Sequence, residues 1–174
     1  PIIEGLNGFL WVFVFLVNGM NVMSVVYCLM TSALLVLSVI DWRTFEIPFG
    51  INVFLGILGI VAVVLDKGEW LNHVIGAVCV SGFLLLLYLL SKGRAIGGGD
   101  IKLMAACGLL LGWQKSILAF LLGCIVGSVI HLFRMKISKE GHVLAMGPYL
   151  AAGIFLAALF GGQWIHWYLD ALGI

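Results

Sequence analysis

The chain has 174 residues, of which 63% are hydrophobic and only 10% charged, whereas soluble domains carry roughly 25% charged residues. With a mean hydropathy of +1.21 it reads as an integral membrane protein. The formal net charge of +1, with no basic stripe interleaved with aromatics, argues against nucleic-acid binding.

A helix that crosses a bilayer needs about 20 apolar residues. On that measure the predicted spans, in chain order, are about 5–20, 22–40, 48–65, 73–90, 116–133 and 145–161. Gly56, Gly59, Gly76, Gly82, Gly123 and Gly127 would let helix backbones approach closely, and "GCIVG" at 123–127 is a G-x-x-x-G whose expected use is packing within the chain. Cys28, Cys79, Cys107 and Cys124 lie in apolar runs without a C-x-x-C pair. They read as small core residues and not as a zinc or disulfide framework.

The segment 101–113, "IKLMAACGLLLGW", would be only about 18 Å long as a helix, short of the hydrocarbon core. Loop charges decide whether it crosses. If it does, Arg43, Lys92, Arg94, Lys102, Arg134, Lys136 and Lys139 share one face, with only Lys67 and Lys115 opposite, a strong positive-inside bias. If it does not, the bias weakens to five against four. The expectation is therefore an all-α polytopic transmembrane helix bundle of about seven spans, one of them short, with the N-terminus and the basic loops in the cytoplasm. The terminal "QWIHWYLDALGI" reads as an outer-face anchor, its Trp164, Trp167 and Tyr168 suited to an interfacial belt. Nothing basic precedes the first span and no small-residue cleavage site follows it, so no signal peptide is expected. The chain opens on Pro1 and not on Met, as a processed product or a chain lacking an upstream segment would.

Among the eight acids, two stand at equivalent places. Asp41 ends the second predicted span in "SVIDWRTFEIP", and Asp100 begins the fifth after "AIGGG", so one bilayer face receives both. Asp66, Glu69 and Asp170 read as solvated groups of the other face. Two carboxyls about 3 Å apart cannot both ionise cheaply, so one keeps its proton. The ionised member can then activate water while the other polarises a peptide carbonyl, which hydrolyses an amide without metal or covalent intermediate. Each acid alone has a plainer reading: Asp41 as an ion pair with Arg43, Asp100 as a helix N-cap.

Gly97, Gly98 and Gly99 favour the chemical reading. Three glycines in a row permit positive φ and close approach of main chain to a ligand, at an entropic cost a mere connection need not incur. A phosphate cradle would want G-x-x-x-x-G-K-[ST] after a strand or G-x-G-x-x-G in a βαβ unit; neither occurs, and Asp100 would repel phosphate.

Four motifs in the same order resemble those of bacterial type IV prepilin peptidases. "GGGDIKL" is similar to their G-x-G-D-x-K-L, "DWRTFEIP" to D-x-x-x-x-x-I-P, "GPYLAAG" at 147–153 to a third short element, and "PIIEGLNG" at 1–8 to P-x-x-E-x-x-x-G. The Y-D and P-A-L motifs of presenilin-like proteases are not found. The resemblance implies a non-pepsin-like aspartic endopeptidase of the bacterial cytoplasmic (inner) membrane, a single membrane-embedded peptidase domain over 1–174. Its site would face the cytoplasm and cut, after a glycine, the basic leader from type IV prepilins and from pilin-like subunits of type II secretion or competence systems. It implies Asp41 and Asp100 as the catalytic pair and Gly97, Gly98, Gly99 and Lys102 as the active-site loop. Glu4, Glu46, Pro48, Gly147 and Pro148 become candidate substrate contacts, and Glu140 a further negative group on that face.

The partners implied are substrates with a basic leader and an apolar helix, together with the lipid bilayer. No metal or cofactor is expected for the peptidase. Full-length members of the family carry an upstream Cys-rich domain that binds zinc and is associated with S-adenosylmethionine-dependent N-methylation; it is absent from this chain, so the expectation is a longer parent, with a naturally short peptidase as the alternative. Two readings of other classes remain at this point. One is a small transporter or ion-coupled channel subunit using the two Asp residues, against which stand their shared face and the lack of an internal repeat. The other is an inactive assembly factor that binds pilins.

Overall fold

A computed structural model describes residues 2–94, 96–137 and 145–173; of Arg134 to Ile137 it describes the backbone alone. Lys139 and Glu140 lie outside the described residues, as do the side chains of Arg134 and Lys136. The described residues form seven α-helices: α1 (Ile2–Asn18), α2 (Val22–Thr44), α3 (Phe49–Leu65), α4 (Trp70–Leu90), α5 (Gly98–Leu111), α6 (Trp113–Ile137) and α7 (Gly147–Leu172). A single 3-10 turn, Lys67–Glu69, leads into α4.

Each predicted span has its helix, in order. Four segments are long and apolar enough to cross a membrane: Val22–Thr44, Lys67–Leu90, Trp113–Phe133 and Gly147–Leu172. α1 and α3 are shorter apolar helices of 17 residues, and α5 has 14. Large apolar side chains such as Phe9, Leu16, Ile60, Val78, Leu90, Ile125 and Leu132 are turned outward. An apolar exterior of this extent suits lipid rather than water.

The last helix departs from expectation. The predicted span ends at 161, with the rest a separate anchor, but α7 runs unbroken for 26 residues to Leu172. At 1.5 Å per residue it is about 39 Å long, more than the hydrocarbon core is thick. Cys79 also departs: it is exposed on α4, while Cys28 and Cys107 are buried.

Two close crossings tie the bundle together. α4 meets α5 where Gly76 and Gly108 face each other, and a Cβ on either would run into the other's backbone carbonyl. α6 meets α7 at Gly123 and Gly153, with Leu150 Cα 3.1 Å from where a Gly123 Cβ would lie. The G-x-x-x-G at 123–127 is therefore an intrachain packing face, as its residues suggest. At the end of the bundle remote from Asp41 and Asp100, only Gly112, at φ 82°, separates α5 from α6. Asn72 Oδ1 accepts the Trp113 N–H at 3.0 Å, and His73 is joined through Nδ1 to the Leu109 carbonyl at 2.8 Å. α5 is thus clamped at its far end, which sets the height at which its first turn stands.

Candidate active site

Asp41 sits in the last turn of α2 and is 4% exposed. The helix stops because Phe45 takes the left-handed conformation, φ 55°, with its N–H still bonded to the Asp41 carbonyl at 2.9 Å. Pro48, at φ −60°, then opens α3. The short excursion 45–48 brings Ile47 against the glycine run of α5.

Gly97 is the N-cap of α5, and Asp100 is the third residue inside it. That differs from the plainer sequence reading, in which Asp100 itself caps the helix. Its carboxylate takes a backbone hydrogen bond from Gly97, the reach-back half of a capping box. The glycines do not adopt positive φ. Their use is close approach: a Cβ at Gly99 would lie 2.9 Å from Ile47 Cβ, and one at Gly97 would lie 3.2 Å from Asp100 Oδ2. Gly98 has open space beside it.

The two acids, 59 residues apart in sequence, line one cavity of about 300 Å³ with Phe45, Glu46, Ile47, Gly97, Gly98 and Gly99. Asp100, ahead of the apolar stretch of α5, has its carboxyl pushed up from 3.8 to about 6. Burial is the larger cause and the charge of Asp41 the second, while the Gly97 N–H pulls the other way. A charge on one acid is thus felt by the other, which is the electrostatic condition for a pair that shares a proton.

A further contact was not evident from sequence. Gly147, the first residue of α7, donates its N–H to Asp41 Oδ2 at 2.9 Å. Gly147 is itself buried, and a Cβ there would stand 2.7 Å from the same oxygen. The motif "GPYLAAG" placed Gly147 among candidate substrate contacts; the structure places it against the acid. Pro148 follows on the first turn of α7 and is half-buried.

The other candidates are more dispersed. Glu46 lines the acid cavity and is exposed, and Pro48 is half-buried at the start of α3. Lys102 is exposed, with Nζ 5.4 Å from the centre of the Phe49 ring, and its charge is not among the causes that set Asp100. Glu4 is exposed on α1 and does not line the acid cavity. Among the described residues, no three His, Cys, Asp or Glu side chains group as metal ligands.

Comparison with known proteins identifies the family. The Type IV leader peptidase family matches residues 28–132. A prepilin leader peptidase/N-methyltransferase of Aeromonas salmonicida is 37% identical over 109 residues, covering 58% of this chain and 37% of that protein. Proteins of the same description from Stutzerimonas stutzeri and Bacillus subtilis are 31% and 30% identical over 150 and 146 residues; each alignment covers 82% of this chain, and 52% and 58% of the relative. The chain therefore spans about half the length, or less, of these curated relatives. No solved structure matches it. With a family match that takes in both acids and the glycine run, the chain belongs to the Type IV leader peptidase family.

Proposed function

We propose that this chain is the peptidase core of a prepilin leader peptidase, with Asp41 and Asp100 as its catalytic pair. The observation that carries the proposal is that both acids line one cavity, where burial and, second, the charge of Asp41 raise the Asp100 carboxyl. The ionised member draws a proton from water, the protonated member donates to the peptide carbonyl oxygen, and the water oxygen bonds to the carbonyl carbon; the tetrahedral intermediate then collapses, breaking the C–N bond as the amine leaves with the proton drawn from water and the hydroxyl proton returns to the pair. Asp41, fixed by the Gly147 N–H, is the better-oriented base. Gly98, exposed beside the pair, leaves room for an extended peptide to approach.

The substrates are type IV prepilins and pilin-like subunits of type II secretion or competence systems, cut after a glycine between basic leader and apolar helix. An apolar groove of about 310 Å³ between α1, α2 and α7, lined by Leu10, Leu34 and Phe155 among others, includes Pro148 beside Gly147. Its place supports a substrate whose apolar helix lies against the bundle while its leader reaches the acids. All seven helices cross the inner membrane, α5 through the short apolar stretch that follows Asp100, and the acids face the cytoplasm, where most basic residues gather. Peptide hydrolysis needs no cofactor in this scheme.

The test is leader removal from a co-expressed prepilin, followed by the gel shift of the processed pilin. Asp41→Asn and Asp100→Asn should each lower processing by about 10³-fold or more, the scale seen when one member of a catalytic unit is removed. Processing that persists with either change would overturn the pair and favour ion coupling or pilin binding as the role of these acids.

A further inference from the structure

A second polar cavity, of about 340 Å³, lies at the end of the bundle remote from the acids. It is lined by Asn72 of α4, Leu111 of α5, Gln114 and Lys115 of α6, and Gly162, Ile165, His166 and Leu169 of α7. Its volume is in the range of small-molecule sites. It belongs to neither the acid pair nor the apolar groove, so neither the proposed chemistry nor substrate docking uses it.

Its depth follows from α7. His166 lies 19 residues beyond Gly147, about 28 Å along a helix at 1.5 Å per residue, close to the full hydrocarbon thickness. If Gly147 stands at one boundary of the apolar layer, His166 stands at the other. The exposed Trp164, Trp167 and Tyr168 beside it suit that level. The cavity therefore opens at headgroup height.

Its chemistry is that of an anion site with an apolar floor. The Lys115 stem lies along α7, its Cγ 3.1 Å from where a Gly161 Cβ would be. Lys115 is half-buried, and among the described residues it makes no ion pair. An ammonium withdrawn from water without a counter-charge is costly, and a bound anion would offset that cost. Two nearby acids have partners of their own. Glu69 Oε2 accepts from Asn72 Nδ2 at 2.9 Å, and Asp66 lies 3.8 Å from His73 Nε2. Asp170 is exposed and does not line the cavity. Besides Asn72, the lining residues able to donate to an anion are Lys115, Gln114 and His166, alongside the apolar Leu111, Ile165 and Leu169.

We propose that this cavity binds a phosphate group, supplied by the phosphodiester of a membrane phospholipid whose acyl chains continue along the apolar lining. The site depends on α7 crossing the bilayer and is independent of whether Asp41 and Asp100 cut peptides.

The purified chain in detergent micelles tests it by native mass spectrometry and thermal melting. Micelles are doped in turn with phosphatidylglycerol, with phosphatidylethanolamine, with diacylglycerol, which keeps the chains and lacks the phosphate, or with inorganic phosphate alone. The wild type should retain one phospholipid and melt higher with it, and should retain diacylglycerol at least tenfold less well. Lys115→Ala should weaken phospholipid retention by roughly tenfold, the loss of one charge-assisted bond, and Lys115→Arg should restore most of it. Stabilisation by inorganic phosphate alone, lost in the same variant, would support the anion site with a soluble source. Equal retention of phospholipid and diacylglycerol, or equal phospholipid retention by wild type and Lys115→Ala, would overturn the proposal. Should Lys115→Ala not run as a monodisperse particle, Lys115→Gln and Gln114→Ala carry the same comparison.

Discussion

The backbone N–H of Gly147 is bonded to Asp41 Oδ2 at 2.9 Å, joining the first turn of α7 to the last turn of α2 across 106 residues of sequence. It holds a nearly buried carboxylate. The pairing explains why this position is glycine, since a Cβ would stand 2.7 Å from the oxygen and 3.1 Å from Asp41 Cβ.

Gly147→Ala should therefore move Asp41 without unfolding the bundle. Displacement of a reacting group by about 1 Å costs on the order of 10²-fold in rate. The expected outcome is a fall of that size in kcat/KM for leader cleavage, with the melting temperature shifted by only a few degrees. Purified protein, a prepilin substrate and a thermal melt check both halves; a variant with wild-type turnover would show that the contact does not position the acid.

Gly99 and Ile47 form a second tight contact, 2.9 Å for a Cβ on the glycine. Gly99→Ala overpacks this junction and should cost about 1–3 kcal/mol of stability. Trimming the partner in the double variant Gly99→Ala with Ile47→Val should recover part of it. A double-mutant cycle read by chemical denaturation in micelles measures the coupling. Strict additivity would mean that the two do not press on each other.

Peptidase activity should depend on pH through the Asp100 carboxyl, which titrates at about 6. The proposed chemistry needs one proton on the pair, so kcat/KM should decline as pH rises through about 6, an apparent value that belongs to the pair. In Asp41→Asn the neighbouring charge is lost while burial remains, so Asp100 should titrate lower than in the wild type; an infrared titration of the carboxyl band reads this in the inactive variant. The stability effect has the sign opposite to that of an ordinary paired carboxylate. A folded pKa above the unfolded value of 3.8 makes a contribution that is full below that value and lost as pH rises through about 6.

Gly76 and Gly108 meet far from the acids, where a Cβ on either would collide with the other's main chain. Gly76→Ala should separate α4 from α5 and destabilise the bundle by about 1–3 kcal/mol. Because α5 carries Asp100, activity should also fall, but in step with the folded fraction. A melt and an activity assay on the same preparation distinguish this from Gly147→Ala, where rate falls ahead of stability.

Much of the fold is legible in the chain. Seven apolar segments predict seven helices, and the glycines at 76, 123 and 127 mark close crossings. Periodicity and hydropathy are local properties that survive without a partner. Helix ends were less legible: α7 continues through the aromatic terminus because nothing in "QWIHWYLDAL" breaks a helix before Gly173, which turns left-handed at φ 74°. Hydropathy marks where lipid ends, not where hydrogen bonding ends.

By itself the sequence determined that the chain is a bundle of apolar helices and that Asp41 and Asp100, in motifs resembling those of prepilin peptidases, belong at one end of it. Only the tertiary structure decided that these acids share a cavity, that Gly147 holds Asp41, that the glycine run serves the approach of Ile47 rather than unusual backbone angles, and that Lys102 stands over Phe49. Each of those relationships joins residues from different parts of the fold. Composition and motif spacing carry the identity of such residues, but their distances come from the way the helices pack.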